Sequence, residues 1–502
     1  MPTTLMTPGV YIEEKNAFPG SAVAVATAVP VFIGYTEKAI RSGKSLVGKP
    51  TKISSFAEYV ELFGGGYTQQ FKVAPAATPG PDTFVVNGKD YAVEANANNT
   101  LYFYSAIRLF YLNGGADCYI YSVGTYGAIA PGAGLTIDAS DILGDPTKNK
   151  ASVFEVLEKE YEPTLVVIPD IIALGKAAYD VYVQVLLHCQ KTQSRFGIFD
   201  VVQDSTKTTA EDIDDFRNGI GTTALNYGAA YYPWLKSSIV QPSEVDFTNL
   251  DASVDLTALL PEPDAQKVVA NLKALKPEDV AASKTNIQQS LKASSPTYVA
   301  VLEEIRAKLN LLPPSAAMAG IYTLTDNTRG VWKAPANVSV AMVNAPSVNI
   351  SGEQQQSLNV DVMAGKSVNV IRPFPGIGTL VWGGRTLDGN SQDWRYINVR
   401  RTLIMIEQSL KLATRAYVFE PNDAGTWVTV SSMINNFLFN LWKEGALAGA
   451  APEQAYNVQI GLGATMTPND ILDGIMRISV KVAIVRPAEF IVITFQQQQQ
   501  QS

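Results

Sequence analysis

Arg477-Ile478-Ser479-Val480-Lys481-Val482-Ala483-Ile484-Val485-Arg486-Pro487-Ala488-Glu489-Phe490-Ile491-Val492-Ile493-Thr494-Phe495 holds two strand patterns of different kinds. In the first, Ile478, Val480, Val482 and Ile484 share one face, and Arg477, Ser479 and Lys481 share the other. In the second, Phe490, Val492 and Thr494 oppose Ile491, Ile493 and Phe495, so both faces are largely apolar and both expect cover. Such a strand at a chain end is an aggregation hazard unless something receives it. Two resolutions are open: another chain takes the strand, or it completes its own sheet.

Working outward, the start of the chain mirrors its end. Pro8 to Glu14 is a short strand after a Pro-Gly turn, and Lys15 to Ser21, with Pro19-Gly20, is a joint. At the far end Gln496 to Gln501 is a low-complexity tail. Between lie 502 residues, enough for several domains, 46% hydrophobic and 17% charged. The net charge of −8 argues against a general nucleic-acid surface. Two cysteines, Cys118 and Cys189, make no disulfide framework and fit a reducing compartment. No apolar run reaches the ~18 residues of a membrane span. The first residues lack a basic region followed by an apolar one, so no signal peptide is expected.

In chain order, Val29-Pro30-Val31-Phe32-Ile33-Gly34 reads as a buried strand. Ser55 to Gly64 reads as a helix with Ser55 and Glu58 placed to cap it. Phe84 to Val93, around Asn87-Gly88, reads as a hairpin on a surface excursion. A helix is predicted from Leu101 to Asn113 and a strand from Cys118 to Val123. From about 150 to 236 strands alternate with helices: strands at 164–169, 197–202 and 228–234, helices at 179–191 and 208–225. That order predicts an α/β layer with parallel strands. Residues 239–262 read as a linker, and three helices follow to Leu311. The character changes after Ala316, and short strands are expected from beyond Asn337 to about Trp382. Thr402 to Ala416 and Ser431 to Lys443 are amphipathic helices, and Thr467-Pro468-Asn469-Asp470 starts a short one.

Catalytic chemistry finds little footing. The single histidine, His188, sits mid-helix among apolar residues, where a satisfied core histidine is the ordinary reading. One histidine and two cysteines are a poor zinc set. Gly43-Lys44-Ser45 and Gly365-Lys366-Ser367 end like phosphate loops but lack the required earlier glycine. Gly219-Ile220-Gly221, Gly376-Ile377-Gly378 and Gly461-Leu462-Gly463 lack the third glycine of a dinucleotide fingerprint in its place. Asp212, Asp214 and Asp215 occupy the first turns of a helix, where carboxylates meet its positive end.

Four stretches resemble the contractile tail sheath proteins of phage tails, R-type bacteriocins and related injection particles. They are Pro8 to Glu14 with Val29 to Gly34; Arg329 to Asn337; Gly378 to Leu387 with Trp394 to Arg401; and Arg486-Pro487-Ala488-Glu489-Phe490. The resemblance implies a mechanical subunit and no enzyme, stacked in rings around an inner tube, whose contraction drives the tube through a target envelope. It implies strand arms at Val10, Tyr11, Ile12 and Glu13 and at Phe490, Ile491, Val492, Ile493 and Thr494. A neighbour's sheet would receive them, with Ile478, Val480, Val482 and Ile484 on the receiving strand. Hinges are expected at Pro19, Gly20, Arg486 and Pro487. Lys411, Arg415, Lys443, Asn469 and Asp470 are the tube-facing candidates. The implied partners are further copies of the chain, the inner tube protein, baseplate and terminal cap proteins, and paralogous sheath subunits where a particle has them. No cofactor, metal, nucleic acid or stable membrane insertion is implied. Assembly would occur in the bacterial cytoplasm, and the product would be part of a phage tail or a released extracellular particle.

The expected fold is therefore multidomain, α+β and α/β. Residues 1–21 form an arm and linker, 22–73 with 316–486 an inner domain, and 74–100 a small β excursion. Residues 101–315 form an outer α/β domain with a helical excursion near 239–315, and 487–502 a second arm with its tail. Two rivals remain: a cytosolic α/β enzyme with a carboxylate-based site in 150–236, and a non-contractile shell or tube protein.

Overall fold

The computed structural model describes residues 22–76, 78–80, 83–86, 88–96, 100–127, 134–148 and 150–493. Among them, 22–25 with 402–485 make one compact unit, and 26–401 with 486–493 make another.

The larger unit is built on a nine-stranded sheet. Its order is Val338–Ser339, Gly378–Val381, Asn369–Phe374, Gly228–Tyr232, Phe196–Asp200, Leu165–Val167, Pro30–Thr36, Cys118–Thr125 and Thr51–Ile53. The six strands from Asn369–Phe374 to Cys118–Thr125 run parallel, and antiparallel strands close both edges. Helices cover both faces. Phe196 meets Tyr322 of the Ser315–Arg329 helix, whereas Phe199, of opposite parity along the strand, meets Tyr182 of the Ala178–Thr192 helix. Cover on both faces is what the unbroken apolar runs require. All seven residues of Pro30–Thr36 are buried. Gly34 is small for a reason: a Cβ there would lie 2.3 Å from the Phe103 ring.

This sheet redraws the expected partition. The sequence places 22–73 in an inner domain apart from 101–315, whereas Pro30–Thr36 pairs with Leu165–Val167 on one side and Cys118–Thr125 on the other. A strand apolar on both faces belongs mid-sheet, so it cannot serve a domain of its own. The two excursions also meet. The Pro296–Leu309 helix packs on the hairpin of Thr83–Val86 and Lys89–Ala95, which joins Phe71–Pro75 in a three-stranded sheet. Asn87 itself lies outside the described residues.

Ser315–Arg329 is a helix that the sequence pattern does not announce. Its first ten residues lack a polar stripe because nearly all are buried, as in a helix enclosed on every side. Its N-terminus is satisfied from afar: the Ser315 N–H and hydroxyl donate to the Asp200 carboxylate at 2.7 and 2.5 Å. Asp170 does the same at Phe103–Leu112, accepting from the N–H groups of Tyr102 at 2.7 Å and Phe103 at 2.9 Å.

Burial pushes the Asp200 carboxyl up to about 7, against the pull of the Ser315 hydrogen bonds. An acid with a raised folded value holds its proton more tightly when folded. Its contribution is therefore full below its unfolded value of 3.8 and is lost as pH rises through 7. Asp200→Asn preserves the shape and can still accept from the Ser315 N–H. Urea unfolding at pH 5 and pH 8 is expected to show wild type losing on the order of 2 kcal/mol relative to D200N over that range. Equal losses in both proteins would remove Asp200 as the cause.

The smaller unit holds the last part of the Ile397–Thr414 helix, the Ala424–Lys443 helix and a two-stranded ribbon. Val430, Met433, Ile434, Phe437, Leu438 and Leu441 form the buried stripe of the second helix, which packs on the ribbon.

Candidate assembly interface

The ribbon pairs Tyr456–Ile460 with Ile478–Val482 in antiparallel register, Tyr456 opposite Val482 and Ile460 opposite Ile478. No third strand joins it among the described residues, so each strand keeps an open edge. Ile478, Val480 and Val482, three of the residues expected on a receiving strand, are only partly covered. Ile484, the fourth, has left the ribbon and bridges Leu447 instead. The Ala448 N–H donates to Ala483 at 2.7 Å, and the Val485 N–H to Ala446 at 3.2 Å. The Ala424–Lys443 helix covers the ribbon, and the open strand edges keep main-chain groups that a third strand can pair.

Beyond the ribbon the chain passes from one compact unit to the other between Val485 and Arg486. It is then held again. Both Glu489 carboxylate oxygens accept from Arg385, Oε1 from Nε at 2.9 Å and Oε2 from Nη2 at 2.7 Å. Asn359 Nδ2 donates to Oε1 at 2.7 Å, and the Tyr396 hydroxyl to Oε2 at 3.1 Å. Burial pushes the Glu489 carboxyl up, but the Arg385 and Asn359 hydrogen bonds outweigh it and leave the group below its usual range. By contrast Arg486 lies 3.9 Å from Asp393 with both side chains exposed, a contact of little worth.

Immediately past this clasp Phe490, Ile491, Val492 and Ile493 are 71, 79, 88 and 70% exposed and take no strand pairing. Four consecutive large apolar residues in solvent are an unmet demand for cover. Thr494, the Gln496 to Gln501 tail and the whole N-terminal arm, Val10, Tyr11, Ile12, Glu13, Pro19 and Gly20, lie outside the described residues.

The remaining candidates are dispersed over three elements. Lys411 and Arg415 are exposed around the end of the Ile397–Thr414 helix. Lys443 Nζ sits 4.5 Å over the Phe439 ring. Asn469 is exposed, but Asp470 is committed: it caps the Pro468–Leu472 helix through Thr467 and takes Arg477 Nε at 3.1 Å. His188 is buried, with Nε2 2.5 Å from Arg195 Nη1, and burial with that cation brings it down to about 4. Lys366 of the second Gly-Lys-Ser is buried and donates to the Arg217 carbonyl rather than facing a loop mouth. Among the described residues no group of acids, cysteines and histidine could hold a metal ion, and no helix is long and apolar enough to cross a membrane.

The quoted motifs have structural work. Arg400 is stacked between the Tyr227 and Trp394 rings at 4.5 and 4.8 Å. Arg401 pairs with Asp326, both side chains 3% exposed. The Arg385 clasp escaped the sequence reading, although both its halves lie in quoted motifs, because its partners are 104 residues apart.

The phage tail sheath C-terminal domain family matches residues 390–498. Curated tail sheath proteins of Vibrio phage KVP40 and Burkholderia phage BcepMu are 23 and 27% identical over 162 and 157 residues. These alignments cover 32 and 30% of this chain but only 23 and 32% of the relatives' own length. Whole-chain likeness comes from solved structures. The sheath complex of an extracellular contractile injection system, PVC, in its contracted state, is 28% identical with a TM-score of 0.61, covering 99% of each chain. The contracted helical sheath of the anti-feeding prophage is 30% identical with a TM-score of 0.60, covering 99% of this chain and 100% of that one.

Proposed function

As this chain belongs to the contractile sheath family of phage tails and contractile injection systems, we propose that it polymerises helically around an inner tube and contracts to drive that tube through a cell envelope. The observation that carries the reading is the chain end. A clasped segment releases four exposed apolar residues, while a ribbon in the same chain keeps open strand edges. A neighbour's Phe490–Ile493 laid beside Ile478–Val482 answers both demands: main-chain hydrogen bonds at the edge and cover for the side chains. The N-terminal arm adds to the same sheet in this scheme. Each contact joins unlike surfaces, as an open helical polymer requires.

No nucleotide enters the cycle, and the subunit is not an enzyme. The extended lattice is a trap and the contracted lattice lies lower. The joint of the C-terminal arm turns while the strands stay paired. Lys411, Arg415, Lys443 and Asn469 are the residues offered to the tube. Asp470 drops in rank because its carboxylate is spent on a helix cap and Arg477. The further partners are the tube protein, the baseplate and a terminal cap. The subunit assembles in the bacterial cytoplasm and ends in a tail or an extracellular particle.

Electron microscopy of the purified chain and of its parent particle tests this. Striated tubes are expected, long and narrow before triggering, short and wide after it. A protein that stays monomeric at every concentration, or tubes of one fixed length, would refute contraction.

A further inference from the structure

We propose that the Arg385–Glu489 clasp is the fixed root of the C-terminal arm, so that the donated strand pivots between Glu489 and Phe490 rather than at the proline hinge. This rests on the strand-exchange reading above. The clasp has the build of an anchor. Arg385 is 3% exposed and grips Glu489 through two nitrogens, and Asn359 and Tyr396 occupy the same carboxylate. Charge-assisted, two-pronged bonds of this kind fix direction as well as distance.

The anchor is itself tied into the sheet. Asn369 accepts the Arg385 N–H at 2.8 Å and donates to the Arg385 carbonyl at 2.8 Å and the Ala230 carbonyl at 3.1 Å. Asn369 and Ala230 belong to adjacent parallel strands. Tension on an exchanged strand therefore passes from Phe490 through Glu489 and Arg385 into the nine-stranded sheet. The same clasp limits the directions the free strand samples before it is captured. Limiting them lowers the ordering cost of capture. Arg385, Asn359 and Tyr396 are positioning residues for donation: they hold the root and leave the donated residues free.

The test uses the full chain. Glu489→Gln and Arg385→Met are compared with wild type in monomer melting, in the critical concentration for tube formation, and in the mobility of a spin label at Val492→Cys in the monomer. Truncation after Glu489 is the control. E489Q leaves the buried Arg385 charge unpaired and is expected to melt below wild type, to free the label and, at a temperature where both proteins are fully folded, to raise the critical concentration at least tenfold, with R385M at least as severe for assembly. Wild-type assembly and label mobility in E489Q overturn the clasp. So does a melting loss that accounts for the whole assembly defect. If the truncated chain still assembles, strand exchange itself fails; if truncation abolishes assembly while E489Q does not impair it, only the clasp fails.

Discussion

Removal of residues 490–502 is expected to yield a monomer that melts with the full chain and no longer forms tubes. The two halves of this result have separate causes. Phe490–Ile493 are 70–88% exposed in the single chain, so their loss uncovers nothing. In the polymer each would contribute about 1.5–3 kcal/mol by burial, against about 1–2 kcal/mol for fixing its backbone. A net of about 1 kcal/mol for each of four residues is roughly a thousandfold in association. Sedimentation across a hundredfold range of concentration measures it. Tubes from the truncated chain at wild-type concentration would place the polymer contact elsewhere. A large fall in melting temperature would show that the segment packs on its own subunit.

The second large effect concerns folding. Arg401 Nη2 lies 2.6 Å from Asp326 Oδ2 and 2.9 Å from the Thr27 carbonyl, and the guanidinium stands 4.7 Å over the Tyr322 ring. One side chain thus joins three segments of the larger unit. Arg401→Met strands the Asp326 carboxylate in the interior, and breaking a buried pair from one side costs about 3–5 kcal/mol. Replacing both partners removes the stranded charge, so Arg401→Met with Asp326→Leu is expected to recover most of that loss. Urea midpoints of the wild type, the two single variants and the double variant close the cycle. Additive losses would mean that the two groups do not interact.

Local chemistry explains what was legible beforehand. The capping box at Thr208 and Glu211, the serine cap at Ser55, the alternation of Ile478 to Val482 and the stripe from Ile434 to Leu441 all act between residues close in sequence. The apolar segment Phe490–Ile493 was legible too, because a strand pattern apolar on both faces declares its need for cover. The helix at Ser315–Arg329 was not legible. Its cap, Asp200, is 115 residues away, and its burial on nearly all sides erases the periodicity that marks a helix.

By itself the sequence determined many of the strands and helices, the poverty of catalytic groups and the presence of an apolar segment in want of cover. These depend on side-chain pattern and composition alone. Tertiary structure decided which strands share one sheet, which removes the boundary expected between 22–73 and 101–315. It also decided where the arm is held. Parallel pairing and buried ion pairs join residues a hundred or more positions apart, and their energy depends on burial that no local pattern records.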